Sequence, residues 1–217
     1  MSAPPTSRPS IDTVVFDLGG VLIDWDPRHL YRQLFDDHDA MERFLADICS
    51  PQWNLQQDAG RPWREAVAEL SARHPAHAAL IAAYHARWPE MLAGEIPGSV
   101  AILHELHERG LRLYALTNWS HETFPVARER FPFLRWFEGI LVSGEERLIK
   151  PDPAIFRLLL SRYGIAPQRA VFIDDAPHNV AGAAAEGLHA VRFRDAAQLR
   201  RDLVALGLPL RAEEPAP

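Results

Sequence analysis

Cysteine is almost missing from this 217-residue chain, in which Cys49 is the only one. No disulfide can form within the chain, so a reducing compartment such as the cytoplasm is the predicted location. No stretch approaches the roughly 20 consecutive apolar residues of a membrane-spanning helix, so no membrane association is expected. The net charge is −6 and there is no basic stretch, which argues against nucleic acid as a partner.

Internal repeats and low-complexity segments are missing as well. The composition is that of an ordinary globular protein, 47% hydrophobic and 24% charged, and the length suits one domain with a smaller insertion. Residues 1–10 contain three prolines and no apolar run, so we expect a flexible tail there rather than a secretory signal. We expect residues 211–217 to form a second flexible tail.

The segment that begins at Thr13 organises the rest of the chain. Residues 13–16 are apolar or β-branched, which predicts a buried strand. This strand ends at Asp17, and Gly19 and Gly20 follow, so the backbone can turn sharply and a ligand can approach closely. Enzymes of the α/β class carry their chemistry at the C-terminal ends of such strands, although an aspartate before two glycines can also be a plain turn residue.

Two patterns follow along the chain. Residues 27–94 show helical spacing of apolar side chains and no convincing strand, which predicts an all-helical subdomain. Residues 95–210 alternate short apolar strands with helices and, together with residues 11–26, predict an α/β core with a doubly wound parallel sheet. Cys49 lies in the helical block without a clear catalytic partner, so we interpret it as an ordinary helical residue rather than a nucleophile.

Polar side chains follow four of the predicted strands. Asp17 follows the first, Thr117 the second, Lys150 the third, and the pair Asp174-Asp175 the fourth. In a parallel sheet these positions share one edge, so residues far apart in the sequence can converge. Each residue alone is explained equally well as a turn, a solvated charge or a helix cap, but the combination in this order points to a site.

The chemical types at these positions suit one task. A carboxylate can attack phosphorus and form an acyl phosphate. A threonine hydroxyl and backbone amides can hold phosphoryl oxygens, and a lysine can neutralise the charge on the phosphate and on the attacking carboxylate. Two adjacent buried carboxylates are costly without a cation, and carboxylate oxygens are ligands that Mg²⁺ prefers.

In these motifs the sequence resembles the haloacid dehalogenase-like hydrolase superfamily, in the branch whose helical cap is inserted between the first and second motifs. The four motifs are Asp17-Leu18-Gly19-Gly20-Val21, Leu116-Thr117-Asn118, Lys150-Pro151-Asp152, and Ile173-Asp174-Asp175 with Asn179 after it. The resemblance extends over about residues 12–194. It implies a Rossmann-like core with the first strand in its centre, and a cap that closes over the site.

The resemblance also implies an activity. It predicts a Mg²⁺-dependent phosphatase that acts on a small phosphorylated metabolite through a phospho-aspartyl intermediate on Asp17. Thr117, the backbone amide of Asn118 and Gly20 would contact the transferred group, while Lys150 would bridge the phosphate and the carboxylates.

The same resemblance implies a set of metal ligands. Mg²⁺ would be held by Asp17, by the backbone carbonyl of Gly19 and by Asp175, with Asp174 assisting. In the cap, the segment from Asp58 to Arg61 is predicted to be a loop that points toward the core site. Arg61 is predicted to clasp an anionic substrate group, and a plain surface loop is the alternative.

Gly19 departs from the family pattern. Most phosphatases of the family have a second aspartate at this position, which protonates the leaving group and later activates water. Such a general acid/base contributes about 10²–10⁴ in rate. Family branches with a glycine pair here are still phosphatases, so hydrolysis stays the prediction, and Asp24, Asp26 or a cap residue is the candidate replacement.

Two alternative functions stay open at the level of sequence. A 2-haloacid dehalogenase would lose less of its reaction rate from the glycine at position 19, because a halide leaves without a proton and needs no general acid. However, such enzymes use no metal and carry serines where this chain has its acid pair. The second alternative is a catalytically weak binding or interaction domain with the same fold. Both a monomer and a homodimer agree with the sequence.

Overall fold

A computed structural model describes residues 10–211 of the chain. Apart from Ser10 and Arg211, the two predicted tails therefore lie outside the described residues. Within residues 10–211 no helix is long and apolar enough to cross a bilayer.

The described residues form seven strands. They are β1 (Thr13–Phe16), β2 (Ile23–Trp25), β3 (Leu92–Glu95), β4 (Arg112–Thr117), β5 (Gly139–Val142), β6 (Ala170–Asp174) and β7 (His189–Arg192). Five of them make one parallel sheet in the order β5-β4-β1-β6-β7. This confirms the predicted α/β fold class and places β1 in the centre of the sheet.

Helices fill the connections between the strands. The five helices between β2 and β3 are α1 (Pro27–Tyr31), α2 (His38–Asp47), α3 (Pro51–Asp58), α4 (Trp63–Arg73) and α5 (Ala78–Ala86). The six after β3 are α6 (Pro97–Glu108), α7 (Phe124–Arg130), α8 (Ser143–Glu146), α9 (Pro153–Tyr163), α10 (Pro177–Ala185) and α11 (Ala196–Ala205). We call the first set the cap and the sheet with the second set the core.

Local signals in the sequence explain several helix ends. Asp26 caps α1 and Asp152 caps α9, and in each case a proline stands at the first helical position. The helix α9 ends at Gly164, whose φ of +60° is the left-handed conformation that glycine adopts without strain. An aspartate followed by proline is thus the local signal that begins both helices.

The central strand β1 is buried on both faces, as its unbroken apolar sequence predicted. Val14 and Phe16 belong to a large apolar cluster that continues into the cap, whereas Val15 packs on the opposite face against Leu116 and Phe172. Successive side chains of a strand point to opposite faces, so the sheet has one apolar layer on each side. The cap thus shares its core with one face of the sheet.

An antiparallel pair of strands, β2 and β3, was not predicted. Ile23 pairs with Glu95 and Asp24 with Gly94, so residues 92–94 belong to this ribbon and not to the helical block. The strands are three and four residues long, too short for a recognisable alternation. The ribbon is formed by the two segments through which the chain enters and leaves the cap.

The predicted loop at residues 58–61 is confirmed for residues 59–61, but its first residue, Asp58, belongs to the helix α3. Ser50 caps α3 through the Trp53 N–H at 3.2 Å, and Asp58 is the last residue of the helix. Its buried residues are Trp53, Asn54 and Gln57. Because two of these are polar, the helix lacks the apolar stripe by which the others are recognised.

Candidate active site

Asp17 stands directly after β1, at the C-terminal edge of the sheet. Its backbone N–H donates to the carbonyl of Ile173 at 2.8 Å. Its carboxylate oxygen Oδ1 accepts from the backbone N–H of Leu18 at 2.7 Å and from Nζ of Lys150 at 2.9 Å. The carboxylate is thus fixed in place, with 11% of the side chain still exposed.

Lys150 is fully buried beneath this edge and is the only lysine in the chain. Its Nζ lies 2.9 Å from Asp17, 2.6 Å from Oδ2 of Asp174 and 2.9 Å from the carbonyl oxygen of Leu116. Burial opposes the charged ammonium, but the two carboxylates outweigh it and raise the pKa of Lys150. The three donors of the ammonium group are therefore all used.

The two neighbouring acids Asp174 and Asp175 differ in their surroundings. Asp174 is fully buried and accepts from Lys150, from the Ala176 N–H at 2.9 Å and from the amide of Asn179 at 3.0 and 3.1 Å. Asp175 is exposed at the rim of the site. Asp174 is thus committed to protein donors, whereas Asp175 is free to bind a ligand.

Gly20 lets Asp175 approach this edge. A Cβ atom on Gly20 would stand 2.8 Å from Oδ2 of Asp175, and the φ of Gly20 is +73°. The left-handed backbone favours glycine at this position, and a larger residue would also displace the Asp175 carboxylate. Gly19 is different, because a Cβ atom there would meet nothing within 4 Å.

The three acids of this edge form a cluster that fits a divalent cation. One carboxylate oxygen from each of Asp17, Asp174 and Asp175 lies within 4.8 Å of the others, and Lys150 is the one cationic side chain of residues 10–211 that is bonded to the cluster. Burial, with a contribution from Asp174, raises the pKa of Asp17 to about 8 against the opposing effect of Lys150. Burial and Asp174 also raise the pKa of Asp175. This excess of negative charge is what a bound divalent cation would balance.

Thr117 is the last residue of the neighbouring strand β4, and Asn118 follows it. Within the described part of the chain, the buried Oγ1 of Thr117 has no hydrogen-bond partner, so this hydroxyl is available to a ligand. The Asn118 side chain bonds the backbone of Lys150 in both directions, at 2.8 and 3.0 Å. The asparagine therefore fixes the segment that carries the lysine.

A small cavity of about 50 Å³ lies between this edge and the cap. Its lining residues are Gly19, Trp25, Asn54, Asp58, Trp88, Asn118 and Trp119. Three of them carry buried polar atoms without a partner among residues 10–211, namely Nε1 of Trp25, Oδ1 of Asn54 and Nε1 of Trp119. Buried polar atoms are normally satisfied, so these groups keep a hydrogen-bonding capacity that the described protein does not use.

A cavity of about 600 Å³ lies at the opposite edge, where Ile11, Gln168 and His189 stand beside the starts of the strands. It is larger than the cavity at the cap, but the acids, Lys150 and Thr117 all lie at the other edge. We therefore place the candidate active site at the cap and not in this larger cavity.

Hydrogen bonds from the core hold the cap against the site. Ser143 Oγ donates to the carbonyl of Asp58 at 2.6 Å, and Nε1 of Trp63 donates to Ser120 Oγ at 3.1 Å. Glu122 accepts from the backbone N–H of Trp63 at 2.9 Å, a position at which Pro62 offers no capping side chain. The sequence analysis identified none of these core residues, because no local signal marks a partner 57 to 85 residues away.

Arg61 is not brought to the site. Its guanidinium bonds Gln56 at 2.7 Å and also pairs with Glu69, and both contacts are on the exposed side of the cap. The residue of this segment that lines the cavity is Asp58. The contact between Arg61 and an anionic group of the substrate stays a prediction, and the position of the guanidinium does not support it.

Cys49 is buried, and burial raises the pKa of its thiol to about 12 against the opposing effect of Tyr31. A thiol with this pKa is not ionised at neutral pH and is a poor nucleophile. The structure thus agrees that Cys49 is not a nucleophile, but it places Cys49 in the connection between α2 and α3 and not in a helix as predicted.

Comparison with known proteins identifies the class. The family model for haloacid dehalogenase-like hydrolases matches residues 11–187. The chain therefore belongs to the haloacid dehalogenase-like hydrolases, as its motifs and strand order indicated.

Individual relatives include several phosphatases. The chain is similar to a phosphoserine phosphatase of Thermus thermophilus, with 37% identity over 44% of this chain and 39% of that protein. It is also similar to the sesquiterpene phosphatase astK of Aspergillus oryzae, with 25% identity over 83% of this chain and 89% of that protein. The chain thus matches well under two thirds of the length of some curated relatives.

Solved structures share the fold. One is a haloacid dehalogenase family enzyme of Bacteroides thetaiotaomicron in complex with magnesium and inorganic phosphate. It superposes with a TM-score of 0.65 and 26% identity, over 86% of this chain and 96% of that one.

Proposed function

We propose that this protein is a Mg²⁺-dependent phosphatase that hydrolyses a small phosphate ester through a phospho-aspartyl intermediate on Asp17. The arrangement that carries the proposal is the buried Lys150 between Asp17 and Asp174, with Asp175 at the rim. The phosphatases among the relatives and the magnesium and phosphate in the Bacteroides thetaiotaomicron enzyme support it.

In the proposed first step, a carboxylate oxygen of Asp17 attacks phosphorus and displaces the alcohol. Lys150 offsets charge on Asp17. Its ammonium group also donates to Asp174 and to the carbonyl of Leu116, and these two bonds keep the lysine in place. The unpartnered hydroxyl of Thr117 donates to an oxygen of the transferred phosphoryl group. In the second step, water attacks phosphorus and releases inorganic phosphate and Asp17.

The proposed Mg²⁺ would be held by Asp17, Asp175 and the Gly19 carbonyl. Bound there, Mg²⁺ neutralises charge on the phosphoryl oxygens and orients the ester. Asp174 makes its hydrogen bonds to Lys150, Asn179 and Ala176, so its proposed part is to fix the lysine and to assist the metal site indirectly.

The acid pair also separates this proposal from its alternatives. A metal-free dehalogenase does not need the cluster of Asp17, Asp174 and Asp175, whose excess negative charge a divalent cation would balance. A binding domain without catalysis does not need a buried lysine between two carboxylates, because the burial of these charges costs desolvation free energy. A cytoplasmic location is part of the proposal.

A panel of phosphate esters tests it. The purified protein is assayed for phosphate release with Mg²⁺ and with a chelator in excess, beside Asp17→Asn and a control, Asp36→Asn, which changes an exposed acid of the cap. We expect hydrolysis that requires Mg²⁺, that is lost in Asp17→Asn and that is unchanged in Asp36→Asn. Turnover that survives the chelator or the loss of the Asp17 carboxylate would contradict the proposal, and chelator-resistant turnover of a 2-haloacid would support the dehalogenase.

A further inference from the structure

The proposed phosphatase lacks an obvious proton donor for its leaving group. Gly19 stands where a core aspartate would serve, and the space beyond its Cα is open, with nothing within 4 Å of an added Cβ. An alcohol of high pKa leaves slowly as the alkoxide, so a proton donor is needed in or around this space.

Two of the candidate acids near the first motif are engaged elsewhere. The carboxylate of Asp24 is half exposed and pairs with His29 at 3.0 Å. The carboxylate of Asp26 caps α1 and contacts Arg28 through its backbone N–H at 2.8 Å and its guanidinium at 3.3 Å. Asp26 also lines a different cavity of about 360 Å³ within the cap. Neither acid shares the cavity that opens at Gly19.

Asp58 does share that cavity. It stands at the C-terminal end of α3 and lines the same small cavity as Gly19 and Asn118. Its backbone carbonyl accepts from Ser143 of the core at 2.6 Å, which holds the end of the helix over the site. Its side-chain oxygen Oδ2 accepts from the amide of Asn54 at 2.9 Å, so its carboxyl group is also oriented.

We propose that Asp58 of the cap is the general acid and base of the reaction, in place of the side chain that Gly19 lacks. The proposal rests on the proposed phosphatase function. It places the nucleophile in the core and the proton donor in the cap. Asp17 and Asp58 therefore reach the same substrate only when the cap is docked on the core.

The surroundings of Asp58 suit this role. Burial raises the pKa of Asp58 to about 7, against the opposing effects of the Ser120 backbone and Lys150. A group with this pKa is present in both protonation states at neutral pH, as a residue that donates and then accepts a proton must be.

The proton is returned within one cycle. As Asp17 forms a bond to phosphorus, the bond between phosphorus and the ester oxygen breaks, and the proton of Asp58 passes to that oxygen. The products are phospho-Asp17, the free alcohol and the Asp58 carboxylate. Water then attacks phosphorus and gives its proton to Asp58, while the bond from phosphorus to Asp17 breaks and releases inorganic phosphate.

The test compares an alkyl with an aryl phosphate in Asp58→Asn. Single-turnover release of the alcohol measures the first step, and an aryl alcohol leaves without a proton. We expect the alkyl ester to lose about 10²–10⁴ in this rate, while the aryl ester keeps its rate within a few-fold and shows a burst, because the second step still lacks its base. The retained aryl burst also shows that the variant is folded.

Two further variants make the test specific. Asp24→Asn, which changes a nearby acid outside the cavity, should leave both rates unchanged. Gly19→Asp in the Asp58→Asn background places a carboxylate in the open space and should recover most of the alkyl rate. If the role of Asp58 were purely structural, Asp58→Asn would lower the single-turnover rates of both esters alike. The added Gly19→Asp change would then not restore the alkyl rate.

The outcomes separate the two proposals. Equal effects of Asp58→Asn on both esters, or no effect on the alkyl ester, would overturn the role of Asp58 and leave the phosphatase intact. A wild-type protein that hydrolyses neither ester with Mg²⁺ would overturn the phosphatase, and the role of Asp58 with it.

Discussion

The core edge and the cap face of this site are built in opposite ways. At the core edge, Lys150 uses three acceptors, and Asp174 accepts from three residues. On the cap side, polar atoms of Trp25 and Asn54 are buried without a partner among residues 10–211. The charged groups of the core edge are satisfied by one another, whereas the hydroxyl of Thr117 and the polar atoms on the cap side are available to a ligand.

This difference has a consequence for catalysis. Groups that bear charge are fixed in advance, so they need no reorganisation when the phosphoryl group is transferred. The cap is held by the apolar cluster that it shares with the core, by hydrogen bonds such as those of Ser143 and Glu122, and by the short β2–β3 ribbon. Chemistry is thus preorganised in the core, and substrate contact and proton transfer depend on the docked cap.

Removal of Lys150 should have the largest effect. In Lys150→Met, Asp17 and Asp174 lose the cation between them, so we expect a loss of about 3–5 kcal/mol in the free energy of unfolding together with loss of activity. Urea denaturation and phosphatase assays measure both.

Lys150→Arg sharpens this prediction. Arginine serves at every other basic position of the chain, but its planar guanidinium cannot place one nitrogen among the three acceptors of Nζ. We expect this variant to be inactive as well, although its charge is retained. An active and stable Lys150→Arg protein would show that charge alone is needed at this position.

Thr117→Val should have the next largest effect, confined to catalysis. Its hydroxyl has no partner in the described protein, so its removal costs no hydrogen bond of the fold. We expect a loss of about 10²–10³ in kcat if the hydroxyl holds the phosphoryl group, with the melting temperature unchanged or raised.

A matched control for this variant is Thr13→Val at the other end of the sheet. The Thr13 hydroxyl donates to Asp12 at 2.8 Å, so this change should lower stability slightly and leave kcat unchanged. If Thr117→Val lost stability but kept kcat, the idea that the core edge leaves this hydroxyl for a ligand would be wrong.

Glu122→Ala should have the smallest effect, because it loosens the cap without touching the site. It removes the acceptor for the Trp63 N–H at the start of α4, which costs about 1 kcal/mol for a lost helix cap. We expect KM to rise a few-fold with little change in the single-turnover rate of bound substrate. Glu129→Ala, an exposed acid on α7, is the control. An unchanged KM would show that this bond does not hold the cap.

The sequence predicted the core edge better than the cap face. Asp17, Thr117 and Asp174 follow apolar strands, and a short local pattern is enough to place such residues at one edge. The cap face depends on pairings that are distant in the chain, such as Ser143 with Asp58. Arg61 shows the limit most clearly, since a nearby glutamate, Glu69, takes the charge that was predicted to bind substrate.

The most direct test of the account is the identity of the residue that carries phosphate during turnover. The enzyme is mixed with Mg²⁺ and a radiolabelled aryl phosphate and quenched in acid within one turnover, and the labelled peptide is sequenced. We predict one acyl phosphate, on Asp17, which is absent from Asp17→Asn. Label on another residue, or full turnover by a wild-type enzyme that never becomes labelled, would contradict the account.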